Sequence, residues 1–381
     1  MKFLQFMFRN VMRNRRRTFL TITSIAVSLF LVALLRTVLT ELESPPSTPE
    51  SALRLVTRHR VSLANTLPVA YRGRIAQVEG VDAVIGLMWF GGVYKDPKNF
   101  FPQFAADTDG FFTLNLDMRL PEAEKQAYLA DRTGALVGDN LAERFGWNLG
   151  EKIHLTGALF EFDPELTIRG IYSGGSDDGS SLYFHWDYFN EGMGNAGFTG
   201  TFSIRLRAPE EAAAVSQRID DQFRNSTAPT KTETEKAFVL GFISMLGNVR
   251  LLISAIASVV IFTIVLVAAN TMAMSIRERV REIGILKALG FRRSHILVFL
   301  VGESTLLALG GALIGSVGAR LLFSRIKMSQ LTAGFVQRFH VTTGTLAWCA
   351  AIGLFVGVVA AGIPAWRAAR RRVVEALRGV D

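Results

Sequence analysis

Four stretches of this chain carry no charge or only one: Thr18–Leu35, Leu251–Ile276, Ile296–Ala319 and Val341–Trp366. About 20 apolar residues, rising ~1.5 Å each in a helix, cross a hydrocarbon core ~30 Å thick. A helix buried in a soluble domain needs only about 10–14. Three of the four runs are far longer than that, so the chain reads as an integral membrane protein. The first run only just reaches the length and follows a basic segment, as the core of a signal peptide would. It continues into LLRTVLTELESPPS with no small-x-small cleavage site, and is therefore read as an uncleaved anchor.

Charge sets the orientation. Residues 1–17, 277–293 and 367–381 together carry a net +13, whereas 41–248 carries −9. Basic segments stay on the cytoplasmic side. Four spans then place both termini in the cytoplasm of a bacterial inner membrane and segment 41–248 outside. Arg320, Arg325, Lys327 and Arg338 run against this pattern. The overall +9 thus reflects topology, and nucleic acid is not an expected partner.

The resulting fold class is four transmembrane α-helices plus an α+β extracytoplasmic domain inserted between spans one and two. The expected divisions are an interfacial helix 1–17, span 18–40, outer domain 41–248 with stalk ends, span 249–276, and a cytoplasmic helix 277–294. A span 295–319, an outer loop 320–342, a span 343–366 and a basic tail 367–381 follow. In the first segment Phe3, Leu4, Met7, Phe8, Val11 and Met12 form one apolar helical stripe suited to the membrane surface.

Inside the outer segment, SPPSTP reads as a stiff linker, and AVIGLMWFGGVYK and FTGTFSIRLR as strands. GALVGDNLAERFGWNLGEKIHL reads as strand, short helix, glycine turn and strand. APEEAAAVSQRIDDQFRN is a helix with Pro209 in its first turn. AFVLGFISMLGNVRLL enters the second span with no proline breaker, and a continuous stalk helix is expected there. The sole cysteine, Cys349, lies in the fourth span, so no disulfide forms within the chain and the outer domain depends on its own core.

Little in the chain resembles a catalytic site. The five histidines, His59, His154, His185, His295 and His340, lack metal-ligand spacing, and no metal is expected. GGSDDGSS, with Asp177 and Asp178, lacks the alternating ligands of a calcium loop and reads as a solvated turn. There is no G-x-S-x-G elbow and no G-x-x-x-x-G-K-[ST] loop, so the chain is not expected to hydrolyse ATP by that route.

Within the spans, Gly311-x-x-x-Gly315 and Gly353-x-x-x-Gly357 allow close helix approach, read as packing within one subunit. Glu303 is the one acid inside a span, eight residues or ~12 Å beyond His295. A buried acid without a relay in the other spans calls for a polar partner rather than a proton path. Asn270 or Thr271 is the expected one.

The segment SIRERVREIGILKALGFRRSHI is an amphipathic helix between two caps. Ile276, Val280, Ile283 and Lys287 share one side, and Leu286 and Leu289 extend an apolar edge. Glu278–Arg281 and Arg279–Glu282 are i,i+3 pairs. Gly290 suits a helix end and Ser294 the N-cap of the next helix. A second apolar edge on a surface helix suits a groove on a protein.

With its flanks, NTMAMSIRERVREIGILKALGFRRSHI resembles the signature of permease subunits of the MacB/FtsX/LolC-type ABC transporter superfamily. GALVGDNLAERFGWNLGEKIHL is similar to that family's periplasmic core motif. GIPAWRAARRRVVEALRG resembles its C-terminal motif, with Val373 where a second proline stands. The resemblance implies a non-enzymatic permease docked on a separate ATPase, which holds the ATP and Mg while this chain carries no cofactor. It implies a homodimer or a pair with a paralogous permease, in contact with membrane lipid and working with a periplasmic adaptor. Residues Arg277, Glu278, Arg279, Glu282, Ile283, Lys287, Ala288 and Gly290 fall on its ATPase-coupling helix. ATP-driven motion then reaches the outer domain (mechanotransmission) to extrude or release a substrate. An FtsX-like scaffold activating cell-wall hydrolases and LolC/E-like lipoprotein release are the alternatives the same residues allow; a span–sensor–span receptor would leave two spans without a role.

Overall fold

The structure, a computed structural model, describes residues 15–43, 49–175, 177–245, 247–325 and 340–370. The apolar stripe Phe3–Met12, the linker 44–48, Lys327 and Arg338 of the outer loop, and Val373 of the tail lie outside the described residues. The described residues divide into two compact units, one lying within 1–40, 248–326 and 339–381, the other within 41–247.

Among the described residues, four helices are long and apolar enough to cross a membrane, and they belong to the first unit: Arg15–Glu43, Val249–Glu278, Arg293–Phe323 and Thr343–Arg370. Its core gathers Ile25, Leu29 and Val32 of the first, Ile264 and Ala268 of the second, Ala308 and Ala312 of the third, and Ile352, Val356 and Ala360 of the fourth. Glycine sets the spacing. A Cβ at Gly315 would lie 2.2 Å from the Ala26 carbonyl oxygen, and one at Gly311 2.6 Å from Ile25, so both glycines seat the third span on the first. Gly353 meets Ala308 and Ala312, and a Cβ at Gly357 would lie 2.5 Å from Thr305 Cα, seating the fourth span on the third. The second span differs: only 11% of its apolar window is buried, against 33–39% in the others. It touches its neighbours along the stripe Ile264, Ala268, Met272 and Ile276, one residue every four.

The second unit is built on a mixed sheet. Across it run Thr230–Thr234, Arg54–His59, Thr201–Leu206, Val81–Trp89, Gln103–Ala106, Leu182–His185, Gly134–Gly138, Glu165–Gly174 and Met118–Arg119. Gln103–Ala106 with Leu182–His185, and Gly134–Gly138 with Glu165–Gly174, are the parallel pairs. The GALVGDN segment forms the expected strand, the helix Asp139–Phe145, a left-handed Gly146 and the strand Lys152–His154. Pro209 opens a 3-10 turn leading into helix Ala212–Phe223, whose Val215, Ile219 and Phe223 close over Leu55, Phe202 and Ile204. An aromatic cluster around Phe90, Phe101, Phe184 and Phe189 fills another part, so apolar burial does the work that disulfides do elsewhere.

Two expectations change. The GGSDDGSS loop is not a solvated turn: the Asp177 carboxylate turns inward and accepts a hydrogen bond from the Tyr172 hydroxyl. Burial pushes the Asp177 carboxyl above the ordinary aspartate range. The stalk is also interrupted. Helix Glu235–Met245 ends, Gly247 adopts φ +91°, and the Asn248 side chain accepts from the Leu251 amide at 3.0 Å to start the next helix. A glycine that takes a left-handed turn, followed by a good N-cap, stops a helix without proline.

Buried Arg54, on the strand next to the edge, ties the sheet to helix Glu235–Met245. Its Nη1 and Nη2 lie 3.0 and 3.1 Å from the two Asp117 carboxylate oxygens, and its Nε 2.6 Å from Glu235 Oε2. Burial lowers the guanidinium's affinity for its proton, but the two carboxylates outweigh this and hold it above its ordinary value.

Candidate functional site: the helix between the second and third spans

The second span ends at Glu278, where the backbone of Arg279 leaves helical geometry (φ −106°, ψ 10°). A separate nine-residue helix, Val280–Ala288, follows. It closes with a Schellman arrangement, the Gly290 amide donating to Lys287 O at 3.0 Å and the Phe291 amide to Leu286 O at 3.1 Å. Gly290 adopts φ +91°, a conformation that costs a residue with a side chain but not glycine. The third helix begins after an extended Arg292, with no side-chain cap. Ser294 therefore lies inside the first turn and is not the N-cap.

One side of the short helix is consumed by its own chain. Ile283 packs among Met272, Ile276, Ile296, Leu300, Ala361, Ala365 and Ala368. Gly284 is buried beside it. Lys287 Nζ reaches the Ala368 carbonyl at 3.4 Å, and burial followed by the charge of Arg293 lowers its affinity for a proton. Glu278 pairs with Arg17 at the start of the first span. Glu282 is half-buried; Arg277, Arg281, Ala288 and Gly290 are exposed.

Glu303 is paired, but not as the sequence reading expected. Arg279 Nη1 lies 2.7 Å from its Oε2 and 3.0 Å from its Oε1, with both side chains buried. Asn270 is exposed, and Thr271 bonds back to its own helix at Val267 O. A guanidinium offers charge and several donors to a carboxylate in a dry setting, which an amide or hydroxyl does not. Arg279 thus belongs to the inside of the bundle and not to a contact face.

What remains outside is a ridge that the sequence reading only partly found. Ile285 is 48%, Leu289 71% and Phe291 42% exposed. Arg281, Arg292 and Arg293 stand exposed around them. Ile285 and Leu289, four apart, and Phe291 past the Gly290 turn, with cations beside them, are arranged to enter an apolar groove with an acidic edge. Among the described residues no group of three or more His, Cys, Asp or Glu side chains is placed to hold a metal ion.

These features define a class: a four-span membrane protein with an α/β domain between its first two spans and a short capped helix between its second and third. Residues 18–222 match the MacB-like periplasmic core domain and residues 254–373 the FtsX-like permease C-terminal family. The chain belongs to this family of ABC transporter permeases. An uncharacterized ABC transporter permease of Methanocaldococcus jannaschii is 27% identical over 327 residues, 80% of this chain and 78% of its own. The macrolide export ATP-binding/permease protein MacB of Shewanella sp. (strain W3-18-1) is 33% identical over 159 residues, 42% of this chain. The match takes in 23% of that exporter, so this chain corresponds to a part of it. The solved periplasmic region of MacB from Actinobacillus actinomycetemcomitans is similar over 50% of this chain and 92% of that one, at 9% identity and a TM-score of 0.38. A permease of this class is membrane-embedded and implies a partnering ATPase subunit.

Proposed function

We propose that this chain is the permease subunit of an export system, converting ATP-driven motion of a separate ATPase into movement of its own outer domain. The observation that carries this is the exposed ridge of Ile285, Leu289 and Phe291 with the exposed arginines near it, formed by a short helix and the turn that ends it, the helix's other side being locked into the bundle. The ridge seats in a groove on the ATPase, where ATP and Mg are bound. The chain itself hydrolyses nothing, in keeping with a sequence that lacks a phosphate-binding glycine loop.

Charge distribution supports a cytoplasmic position for the ridge and for both termini, with segment 41–247 on the outer side of the inner membrane. Two copies, or one copy and a paralogous permease, form the working unit, with lipid around the spans and an adaptor on the outer domain. The name of the MacB relative, a macrolide exporter, supports extrusion of a substrate over scaffolding of cell-wall hydrolases or release of lipoproteins.

The test is ATP hydrolysis by the cognate ATPase with and without the purified full chain in lipid. The chain alone should be inactive, and the pair should hydrolyse ATP faster than the ATPase alone. Leu289→Asp should abolish capture of the ATPase while leaving the chain folded. Undiminished capture by Leu289→Asp and Ile285→Asp together would remove the ridge from the interface.

A further inference from the structure

The short helix Val280–Ala288 stands between two breaks, the non-helical Arg279 and the left-handed Gly290. Neither end continues rigidly into a span, so a displacement of this helix can be absorbed as rotation at its two joints. What binds it to the bundle is side-chain contact. Ile283 and Lys287 reach the third and fourth spans, at Ile296, Leu300, Ala365 and Ala368. The second span meets the same cluster through Met272 and Ile276. These are chiefly apolar contacts, which are non-directional and can slide.

The Arg279–Glu303 pair is of another kind. It is directional, buried, and joins residues 24 apart in sequence across the break itself. Glu303 sits ten residues, or ~15 Å of helix, into the third span from Arg293. Moving either partner away would leave a charge in an apolar surrounding, so the pair resists separation far more than the packing beside it.

We infer that Arg279 and Glu303 are positioning residues that lock the docking helix to the third span, so that its displacement moves that span instead of being lost as rotation at the Arg279 break. This rests on the reading of Val280–Ala288 as the ATPase-docking helix, and adds the route by which motion leaves it.

The experiment uses the full chain in lipid nanodiscs with its cognate ATPase, reading ATPase binding and stimulation of hydrolysis separately. Glu303→Gln should bind the ATPase within threefold of the wild-type affinity yet lose stimulation at least tenfold. The reversed pair, Arg279→Glu with Glu303→Arg, should recover at least half of it. Should Glu303→Gln fail to fold, Arg279→Lys, which keeps the charge with a different reach, carries the same comparison. Stimulation within threefold of wild type in a folded, docked Glu303→Gln chain overturns the inference. A folded reversed pair without recovery does so as well. If instead the wild-type chain recruits no ATPase, the docking reading itself falls, a result distinguishable from either.

Discussion

Replacing Arg54 by methionine keeps most of the side chain's bulk and removes its charge. The arginine is 2% exposed and makes three charge-assisted hydrogen bonds of 2.6–3.1 Å, two to Asp117 and one to Glu235. Methionine leaves two carboxylates facing a site with no cation. Removing one partner of such a buried arrangement costs about 3–5 kcal/mol, mostly the penalty of the stranded charges. In a unit of roughly 200 residues each kcal/mol lowers the unfolding midpoint by about 2–4 °C, so the loss should be about 6–20 °C. Trp89, Trp147 and Trp186 report on this unit, and a fluorescence melt of the full chain in detergent resolves the change. Adding Asp117→Asn and Glu235→Gln to Arg54→Met should return most of the loss, because a neutral trio carries no stranded charge. A drop below about 2 °C for Arg54→Met would refute the reasoning, since it would mean that solvent already satisfies these carboxylates.

At Gly315 and Gly357, substitution by valine should destabilise the membrane unit by about 1–3 kcal/mol in a thermal assay, because the new Cβ meets backbone. Gly318→Ala, where nothing lies within 4 Å, should leave the midpoint unchanged. Ile283→Asp should lower the yield of folded chain sharply while Leu289→Asp does not, since the first is 5% and the second 71% exposed. His185 is buried, and its Nε2 donates to the Tyr128 carbonyl at 2.8 Å. Burial holds its affinity for a proton below the ordinary histidine value of 6.5. The unfolded chain therefore binds the proton first, and stability is lost as pH falls below 6.5. His185→Gln should flatten this part of a stability-against-pH profile, and an unchanged slope would exclude His185 as its source.

The spans were legible because nothing but a membrane accommodates runs of that length, and charge-free composition needs no knowledge of contacts. The strand–helix–strand of GALVGDNLAERFGWNLGEKIHL was legible for a similar local reason, with Gly146 marking the turn. Pairing was not. Glu303 demands a partner, and depth along the neighbouring span points to Asn270, whereas the cation stands just past that span's end, at Arg279. Counting rise along each helix from the shared loop puts Glu303 ~15 Å deep, level with Asn270 rather than with Arg279, so the pair is a relation that only the folded bundle creates. The same gap explains Ile283: periodicity identified an apolar face without saying that the chain's own third and fourth spans cover it, leaving Ile285, Leu289 and Phe291 outside. Asp177 escaped although its partner Tyr172 lies only five residues earlier, in the strand that leads into the loop, because the composition of GGSDDGSS does not show that the loop folds back over that strand.

The stop at Gly247 and Asn248 matters for anyone cutting or extending this molecule. On one side the Gly247 amide donates to Ser244 O at 3.3 Å, and on the other the Asn248 side chain serves the Leu251 amide at 3.0 Å. Each helix thus has a terminal hydrogen bond of its own on its side of the junction. A reporter domain or protease sequence inserted between these two residues interrupts no helical ladder, so both halves should keep their fold. The junction is a natural seam at which the α/β and membrane-spanning portions can be tagged or cut.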